Sequence, residues 1–217
     1  EATPYEYSVT YMSPPIPRPY RFSPKELRHL TLGALLVIGV GLSYIPQATL
    51  ALGFSVLMTP EILLSLALIF MFSFLLHEIA HKLSAQHFGL WAEFRLTLFG
   101  ALITLLSMLL PFFKIISPGA VMVAGPLTKE KAGKTALAGP LTNIVISAIC
   151  MTVLASTQNT FLQINSFFGA WINAIIALFN LVPFGIMDGF KVFRWNKLVW
   201  TTAFIASITL TIFAFAS

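Results

Sequence analysis

An apolar run from Ile62 to Leu76 ends directly in the residues His77-Glu78-Ile79-Ala80-His81, which form an H-E-x-x-H pattern. Residues four apart lie on one face of a helix, so the two imidazoles can bind a single metal ion, and zinc is typical of this pattern. Glu78 lies beside them and can take a proton from a water molecule that attacks a carbonyl group. The turns before the pattern are apolar on every side, which predicts that this helix lies inside a membrane.

The composition supports a membrane location for the whole chain. Of its 217 residues, 57% are hydrophobic and only 10% are charged, whereas about 25% of the residues of a soluble domain are charged. The mean hydropathy is +0.85. We therefore expect one compact integral membrane bundle rather than separate globular domains. Cys150 is the single cysteine, which excludes a disulfide framework within the chain and a cysteine-based metal site.

Two similar segments mark helix starts. Ser23-Pro24-Lys25-Glu26 and Thr59-Pro60-Glu61 each place a capping hydroxyl before a proline at the first helical position. Residues 1–22 are predicted to be an N-terminal tail, and residues 23–217 a single transmembrane domain. The predicted fold is an all-α polytopic membrane protein with about five transmembrane helices, a re-entrant loop and short β strands beside the active site. The predicted helices start near Ser23, Pro60, Thr135, Leu162 and Leu198, and the third is interrupted at Gly139-Pro140.

Residues 90–133 decide the topology. If 99–116 spanned the membrane, Asp188 would lie on the opposite side from His77. If 90–133 instead re-enters the face where it started, every Lys and Arg of the chain lies on one side, and Asp188 lies at the depth of the histidines. The positive-inside rule favours the second arrangement and makes that side cytoplasmic. We therefore predict a multi-pass protein of the plasma membrane with its active site towards the cytoplasm.

A catalytic zinc ion takes three protein ligands and leaves one position open. The third ligand should be an acidic or histidine side chain at the depth of His77 and His81. Asp188, which follows a helix break at Pro183, is the best candidate. Glu93 is the second candidate, because its segment follows the metal helix closely.

The first pattern, together with Asn180-x-x-Pro183-x-x-x-x-Asp188-Gly189, resembles the site-2 protease family of intramembrane zinc metalloproteases. The matched segments cover the predicted catalytic core, residues 60–190. The resemblance implies cleavage of peptide bonds within or near transmembrane segments of other membrane proteins, as in regulated intramembrane proteolysis. It also implies roles for individual residues: His77, His81 and Asp188 as ligands of Zn²⁺, Glu78 as general base, and Asn180 and Asn143 as substrate-binding residues. Asn173, like Asn143, is a polar residue inside an apolar helix, and both could instead bridge helices.

The resemblance has departures and leaves alternatives. The re-entrant region is longer than in minimal members of the family, and Phe190 stands where many relatives have glycine. The expected partners are the lipid bilayer, a protein substrate with a transmembrane helix, and a further copy of the chain in an oligomer; no nucleic-acid partner is expected. The substrate could pair with the strands at 92–98 and 120–124. The alternatives are a membrane zinc protease of another type, a zinc-binding membrane transporter, and a relative that binds helices without cutting them.

Overall fold

The computed structural model describes residues 21–44, 59–110 and 114–216. It contains seven helices and two strands in these ranges. In chain order they are α1 (Pro24–Leu42), α2 (Pro60–His87), β1 (Trp91–Leu96), α3 (Leu98–Ser107), β2 (Gly119–Ala124), α4 (Lys129–Ser156), α5 (Thr160–Asn180), α6 (Asp188–Trp195) and α7 (Lys197–Ala216). The sequence predicts that the first helix extends to about Ala51. The end of this extension and almost all of the predicted tail lie outside the described residues. The division into a tail and a transmembrane domain stays a prediction.

Four of the described helices, α2, α4, α5 and α7, are long and apolar enough to cross a membrane. Together with the small sheet they confirm the predicted class, an all-α polytopic membrane protein. The first helix is predicted as a fifth span, but its described part, α1, is not among the four. Lys25, Glu26 and Arg28 lie in its first two turns, and charged groups at membrane depth are costly.

The structure confirms the two helix starts that the capping signals predict. Ser23 Oγ accepts a hydrogen bond of 3.1 Å from Glu26 N, and Thr59 Oγ1 accepts one of 3.4 Å from Ile62 N. At the other end of α2, Gly89 has a φ of +73°, a left-handed conformation that glycine adopts without steric cost. The sequence predicts Gly89 as the stop of this helix, and the chain leaves α2 there.

Three helix assignments differ from the sequence prediction. The fourth helix, α4, begins at Lys129 rather than near Thr135. The predicted interruption at Gly139-Pro140 is wrong, because α4 continues through Pro140 over 28 residues. Proline removes one backbone hydrogen bond, but neighbouring helices can hold a proline-containing membrane helix together. The prediction also missed α6, whose eight residues begin at Asp188 itself.

Residues 90–133 form the predicted re-entrant segment. β1 and β2 pair antiparallel, from Trp91 opposite Ala124 to Leu96 opposite Gly119. The chain therefore leaves β1 and comes back beside it. The ten residues of α3 are about 15 Å long, half of the roughly 30 Å hydrocarbon core. This helix is too short to span, so the spanning alternative for 99–116 is excluded.

The hairpin packs against α1 and α2. Phe94 of β1 makes an edge-to-face contact with Phe74 of α2, with ring centroids 5.6 Å apart. The outer edge of β1 is covered by α1: Phe94 N donates to Glu26 Oε1 at 3.0 Å, and Leu96 N donates to His29 Nδ1 at 3.1 Å. Side chains of α1 thus satisfy the backbone groups of one sheet edge, as burial requires.

Lys114 departs from the predicted single basic face. Its side chain is buried, and its ammonium donates to Met108 O at 3.0 Å. The ammonium also lies 5.2 Å from the centre of the Tyr44 ring, and that ring packs against Phe70, ten residues into α2. Lys114 is therefore deep in the bundle, because the re-entrant segment carries it there.

Candidate metal centre

Three ligand atoms from two helices converge at one point. His81 Nε2 lies 3.0 Å from His77 Nε2 and 3.0 Å from Asp188 Oδ2. His77 Nε2 lies 3.6 Å from the same carboxylate oxygen. Among the described residues, this is the group of three acidic, histidine or cysteine side chains that could hold a metal ion. The three side chains are 6%, 8% and 14% exposed, so the point lies in the protein interior, near its edge.

The helical spacing in α2 brings the two histidines together, as predicted. Their rings lie edge to face, with centroids 4.6 Å apart. Both face α4, where a Cβ atom on Gly139 would lie 2.4 Å from His81 Nε2 and 2.7 Å from His77 Nε2. Glycine at this position leaves free the space that a bound ion would need.

Asp188 reaches the histidines through a tight connection from α5 to α6. The chain turns at Gly185, which has a φ of +59°. Gly189 then packs against the end of α5, where an added Cβ would lie 2.1 Å from Leu181 O. A larger residue would push the first turn of α6 outwards and carry Asp188 away. Glycine directly after Asp188 is therefore needed on steric grounds, because it lets the aspartate reach the histidines.

The other ring nitrogens fix which imidazole atom faces the centre. His81 Nδ1 lies 2.8 Å from Thr135 O, and His77 Nδ1 lies 2.5 Å from Asn143 Oδ1. Both partners are oxygen acceptors, so both Nδ1 atoms carry the hydrogen. In the neutral rings, both Nε2 atoms then present lone pairs to the centre, as metal-bound histidines do.

This donor set fits a divalent cation. Three lone pairs converge, and without a positive charge between them they repel each other. Burial by itself would raise the pKa of Asp188. A proton on the imidazoles can take the place of a cation, and the charge of His81 and hydrogen bonds with both histidines then hold that pKa below its usual range. Asp188 is therefore a carboxylate at neutral pH. Zinc–ligand bonds of 2.0–2.2 Å in a tetrahedral site put ligand atoms about 3.3–3.6 Å apart, and the observed spacings lie within or slightly below this range.

With this geometry in place, comparison with known proteins adds a relative. A protein of Methanocaldococcus jannaschii, named "Putative zinc metalloprotease MJ0611", is 34% identical over 183 residues, which are 83% of this chain and 90% of the relative. The chain belongs to the family of this protein. The relative is compatible with the resemblance to minimal site-2 proteases. No family model matches the chain, and no solved structure matches it.

Glu78, the middle acid of the H-E-x-x-H pattern in this metalloprotease family, lies beside the cluster. It is half-buried, and its carboxyl group is within electrostatic range of His77, Asp188 and Lys191. It is not one of the three grouped ligand residues. This position agrees with a group that acts next to a metal ion, and its role as general base stays a prediction.

The two predicted substrate-binding asparagines lie in different places. Asn143 is fully buried and contacts His77, so it lies behind an imidazole of the candidate centre rather than on a surface that a substrate can reach. Asn180 donates to Ile176 O of its own helix at 2.9 Å, and its contact with substrate stays a prediction. Glu93, the second candidate for the third ligand, pairs with Arg95 and accepts from Ser23 Oγ at 3.2 Å; the cluster contains Asp188 instead.

The sequence interpretation missed several residues that shape the centre. Thr135 contributes only its backbone carbonyl, so no side-chain pattern could reveal it. Gly139 was treated as a helix interruption, although its missing side chain makes room beside the imidazoles. Asn173 was noted as a polar residue inside an apolar helix, which is the signal that could have found it.

Proposed function

We propose that the chain is an intramembrane zinc metalloprotease of the site-2 type, which hydrolyses peptide bonds within or near transmembrane segments of membrane proteins. The observation that carries the proposal is the convergence of His77, His81 and Asp188 at one end of a membrane-spanning helix, with Glu78 beside them. The relationship to the named zinc metalloprotease supports the same chemistry.

His77, His81 and Asp188 would hold the zinc ion. When bound, zinc polarises a carbonyl group and lowers the pKa of a coordinated water molecule. Glu78 would accept the proton as water attacks the scissile carbonyl carbon, and would pass it to the leaving amine as the C–N bond breaks. The two Nδ1–H groups, held by Thr135 and Asn143, keep both imidazoles oriented while this happens.

A transmembrane helix must unwind before its peptide bonds can be reached, and β2 provides an edge that can receive the extended chain. Because Phe94 N and Leu96 N point towards α1, alternation along the strands turns the backbone groups of Val121 and Val123 away from β1. These outward groups make no hydrogen bond to any residue of the described ranges. The sequence prediction allowed both strands to receive substrate; the structure favours β2.

The sheet lies close to the centre. Val121 and Val123 pack against a buried cluster of Ala85, Leu90 and Ala92. Ala85 lies one helical turn beyond His81 on α2. A substrate strand added to β2 would place an unwound segment beside the metal ligands, with backbone hydrogen bonds that do not depend on sequence. We therefore propose single-span membrane proteins with a locally unstable helix as the substrate class.

The orientation in the membrane belongs to the same proposal. Lys129, Lys131 and Lys134 begin α4, and Lys191 and Arg194 lie on α6. These residues are at the end of the bundle that carries the centre, because α6 begins with Asp188. The positive-inside rule supports an active site towards the cytoplasm, where water can reach it.

The test uses purified protein and a panel of single-span peptides in detergent or bicelles. We expect cleavage that a zinc chelator stops and added zinc restores. We expect Glu78→Gln to retain its zinc and to cut about 10²- to 10⁴-fold more slowly, the usual contribution of a general base. A wild-type rate in Glu78→Gln would remove Glu78 as the base. Zinc uptake into liposomes with no cleavage of any peptide would instead indicate the transporter alternative.

A further inference from the structure

A chain of buried polar side chains runs from the metal centre into the bundle. Asn143 of α4 and Asn173 of α5 are 0% and 1% exposed. Asn143 Nδ2 donates to Asn173 Oδ1 at 2.7 Å, and Asn143 Oδ1 lies 2.5 Å from His77 Nδ1. Two buried amides, on two different helices, therefore stand in line behind one imidazole.

Backbone carbonyls fix the direction of both amides. Asn173 Nδ2 donates to Gly169 O at 2.8 Å and to Ser73 Oγ at 2.9 Å. Asn143 Nδ2 donates to Ser73 O at 3.2 Å. A carbonyl oxygen only accepts hydrogen bonds. Neither amide can turn over without facing an oxygen with an oxygen, so Asn143 must present Oδ1 to His77.

The direction of the amides decides the hydrogen position on His77. Because Asn143 Oδ1 accepts, His77 Nδ1 must carry the hydrogen, and in the neutral ring Nε2 is left with its lone pair. The reversed amide would stabilise the other tautomer, in which Nε2 carries the hydrogen and cannot bind a metal ion. Each buried amide is satisfied in only one arrangement, which is the condition for a polar network to fix a structure.

We propose that Asn173, together with Asn143, is a positioning residue that holds His77 in its metal-binding tautomer. Asn173 touches neither the ligand atoms nor a substrate, and acts through Asn143. The assignment rests on the proposed function for the identity of the ion, but its physical content is the affinity of the centre for a divalent metal.

The chain offers a matched control for this network. Ser147 lies one turn beyond Asn143 on α4, is also fully buried, and donates to Ala170 O of α5 at 2.9 Å. It bridges the same two helices by a buried hydrogen bond but has no contact with His77. A variant at Ser147 therefore reports what the loss of a polar bridge does to this interface.

The experiment measures metal affinity in the full-length protein by competition of zinc with a chelator, and the visible absorption of the Co²⁺-loaded protein. We expect Asn143→Leu to weaken zinc binding 10- to 100-fold, as is common when the partner of a ligand histidine is lost. Asn173→Leu should weaken it less, by about tenfold. Both variants should change the Co²⁺ spectrum, and Ser147→Ala should leave affinity and spectrum unchanged.

Two further variants separate positioning from general destabilisation. Asn143→Asp keeps an oxygen that accepts from His77 Nδ1, so it should retain zinc affinity within a few-fold even if its melting temperature falls. The double variant Asn143→Leu/Asn173→Leu should bind zinc no more weakly than Asn143→Leu, since the remote residue acts only through the near one.

An unchanged zinc affinity in Asn173→Leu, or a loss that Ser147→Ala matches, would overturn the assignment. Its failure is distinguishable from failure of the proposed function. If the wild-type protein binds zinc but cuts no peptide, the proteolytic function fails and the positioning role can still hold. If Glu78→Gln abolishes cleavage while Asn173→Leu changes neither affinity nor spectrum, the function stands and the positioning role fails.

Discussion

Two neighbouring residues of α2, His81 and Lys82, lie in opposite electrostatic environments. His81 faces α4 and the metal centre, whereas Lys82 faces α1. The Lys82 ammonium pairs with Glu26, donates to Arg21 O at 2.8 Å, and lies 3.7 Å from the centre of the Phe22 ring. Lys82 and Glu26 are 1% and 0% exposed.

The two faces of α2 differ in whether their buried polar groups have partners of opposite charge. On the side of α1, each buried charge has an opposite charge, and Glu26 also accepts from a backbone N–H of β1. On the side of α4, two imidazole lone pairs and a carboxylate face one another. A compensated buried pair can hold helices together, whereas converging acceptors are stable only with a cation between them. One face of the helix holds the bundle together, and the other carries the candidate metal centre.

The largest expected effect is the loss of stability when one partner of the buried Lys82–Glu26 pair is removed. Lys82→Met or Glu26→Leu alone leaves an unpaired buried charge and should lower the free energy of unfolding by about 3–5 kcal/mol. The double variant should lose much less than the sum, because neither charge is then left alone. Thermal unfolding of the solubilised protein measures this, and zinc affinity of the folded variants should stay near that of the wild type. Single variants as stable as the wild type would contradict the comparison.

The next effect concerns the uncompensated face. Asp188→Ala removes one of three ligands, so zinc affinity should fall at least about 100-fold, more than for loss of a residue behind a ligand. Chelator competition measures the affinity. Glu130→Ala, which removes an exposed carboxylate paired with Lys134 on α4, is the control and should bind zinc normally. Full zinc content in Asp188→Ala would remove Asp188 from the ligand set.

A substitution that adds only a methyl group tests how much space the metal centre needs. Gly139→Ala should favour the helix intrinsically by up to about 1 kcal/mol, but its Cβ would occupy the space against both Nε2 atoms. We expect zinc affinity to fall roughly 10- to 100-fold, the range for disturbance of ligand orientation. Gly169→Ala, whose Cβ would meet Cys150 Sγ at 2.8 Å, is the control and should keep its zinc. Equal affinity in both variants would mean that Gly139 does not shape the centre.

The smallest expected effect lies at the sheet edge. Val121→Pro removes one outward N–H of β2, and a single hydrogen bond contributes about 0.5–1.5 kcal/mol. Peptide cleavage should slow by about two- to tenfold, with zinc content unchanged. Val121→Ala retains the N–H and serves as the control. Slower cleavage in the alanine variant to the same extent would point to the side chain rather than to strand pairing.

The predictions agree with the structure best where they depend on residues close together in the sequence. The starts of α1 and α2, the glycine stop after α2 and the approach of His77 to His81 depend on residues within a turn of each other, and all were predicted. The start of α4 was predicted six residues too late. The re-entrant path of 90–133 was also predicted, because charge placement reports on membrane side. The buried position of Lys114 was not predicted, because charge placement assumes that lysine stays at the surface. A single lysine can be buried where a backbone carbonyl and an aromatic ring surround its ammonium group.

The sequence by itself determined that the chain is a membrane protein, that α2 carries two imidazoles on one face, and that few acids could join them. Only the tertiary structure decided that Asp188 joins them rather than Glu93, that Asn143 lies behind His77 rather than towards a substrate, and that β2 keeps the open edge. The reason is physical: each of these outcomes depends on contacts between segments distant in the chain, where many polar residues are available and packing selects one. Local spacing cannot encode that selection, because it fixes the face of a helix and not the neighbour that the face meets.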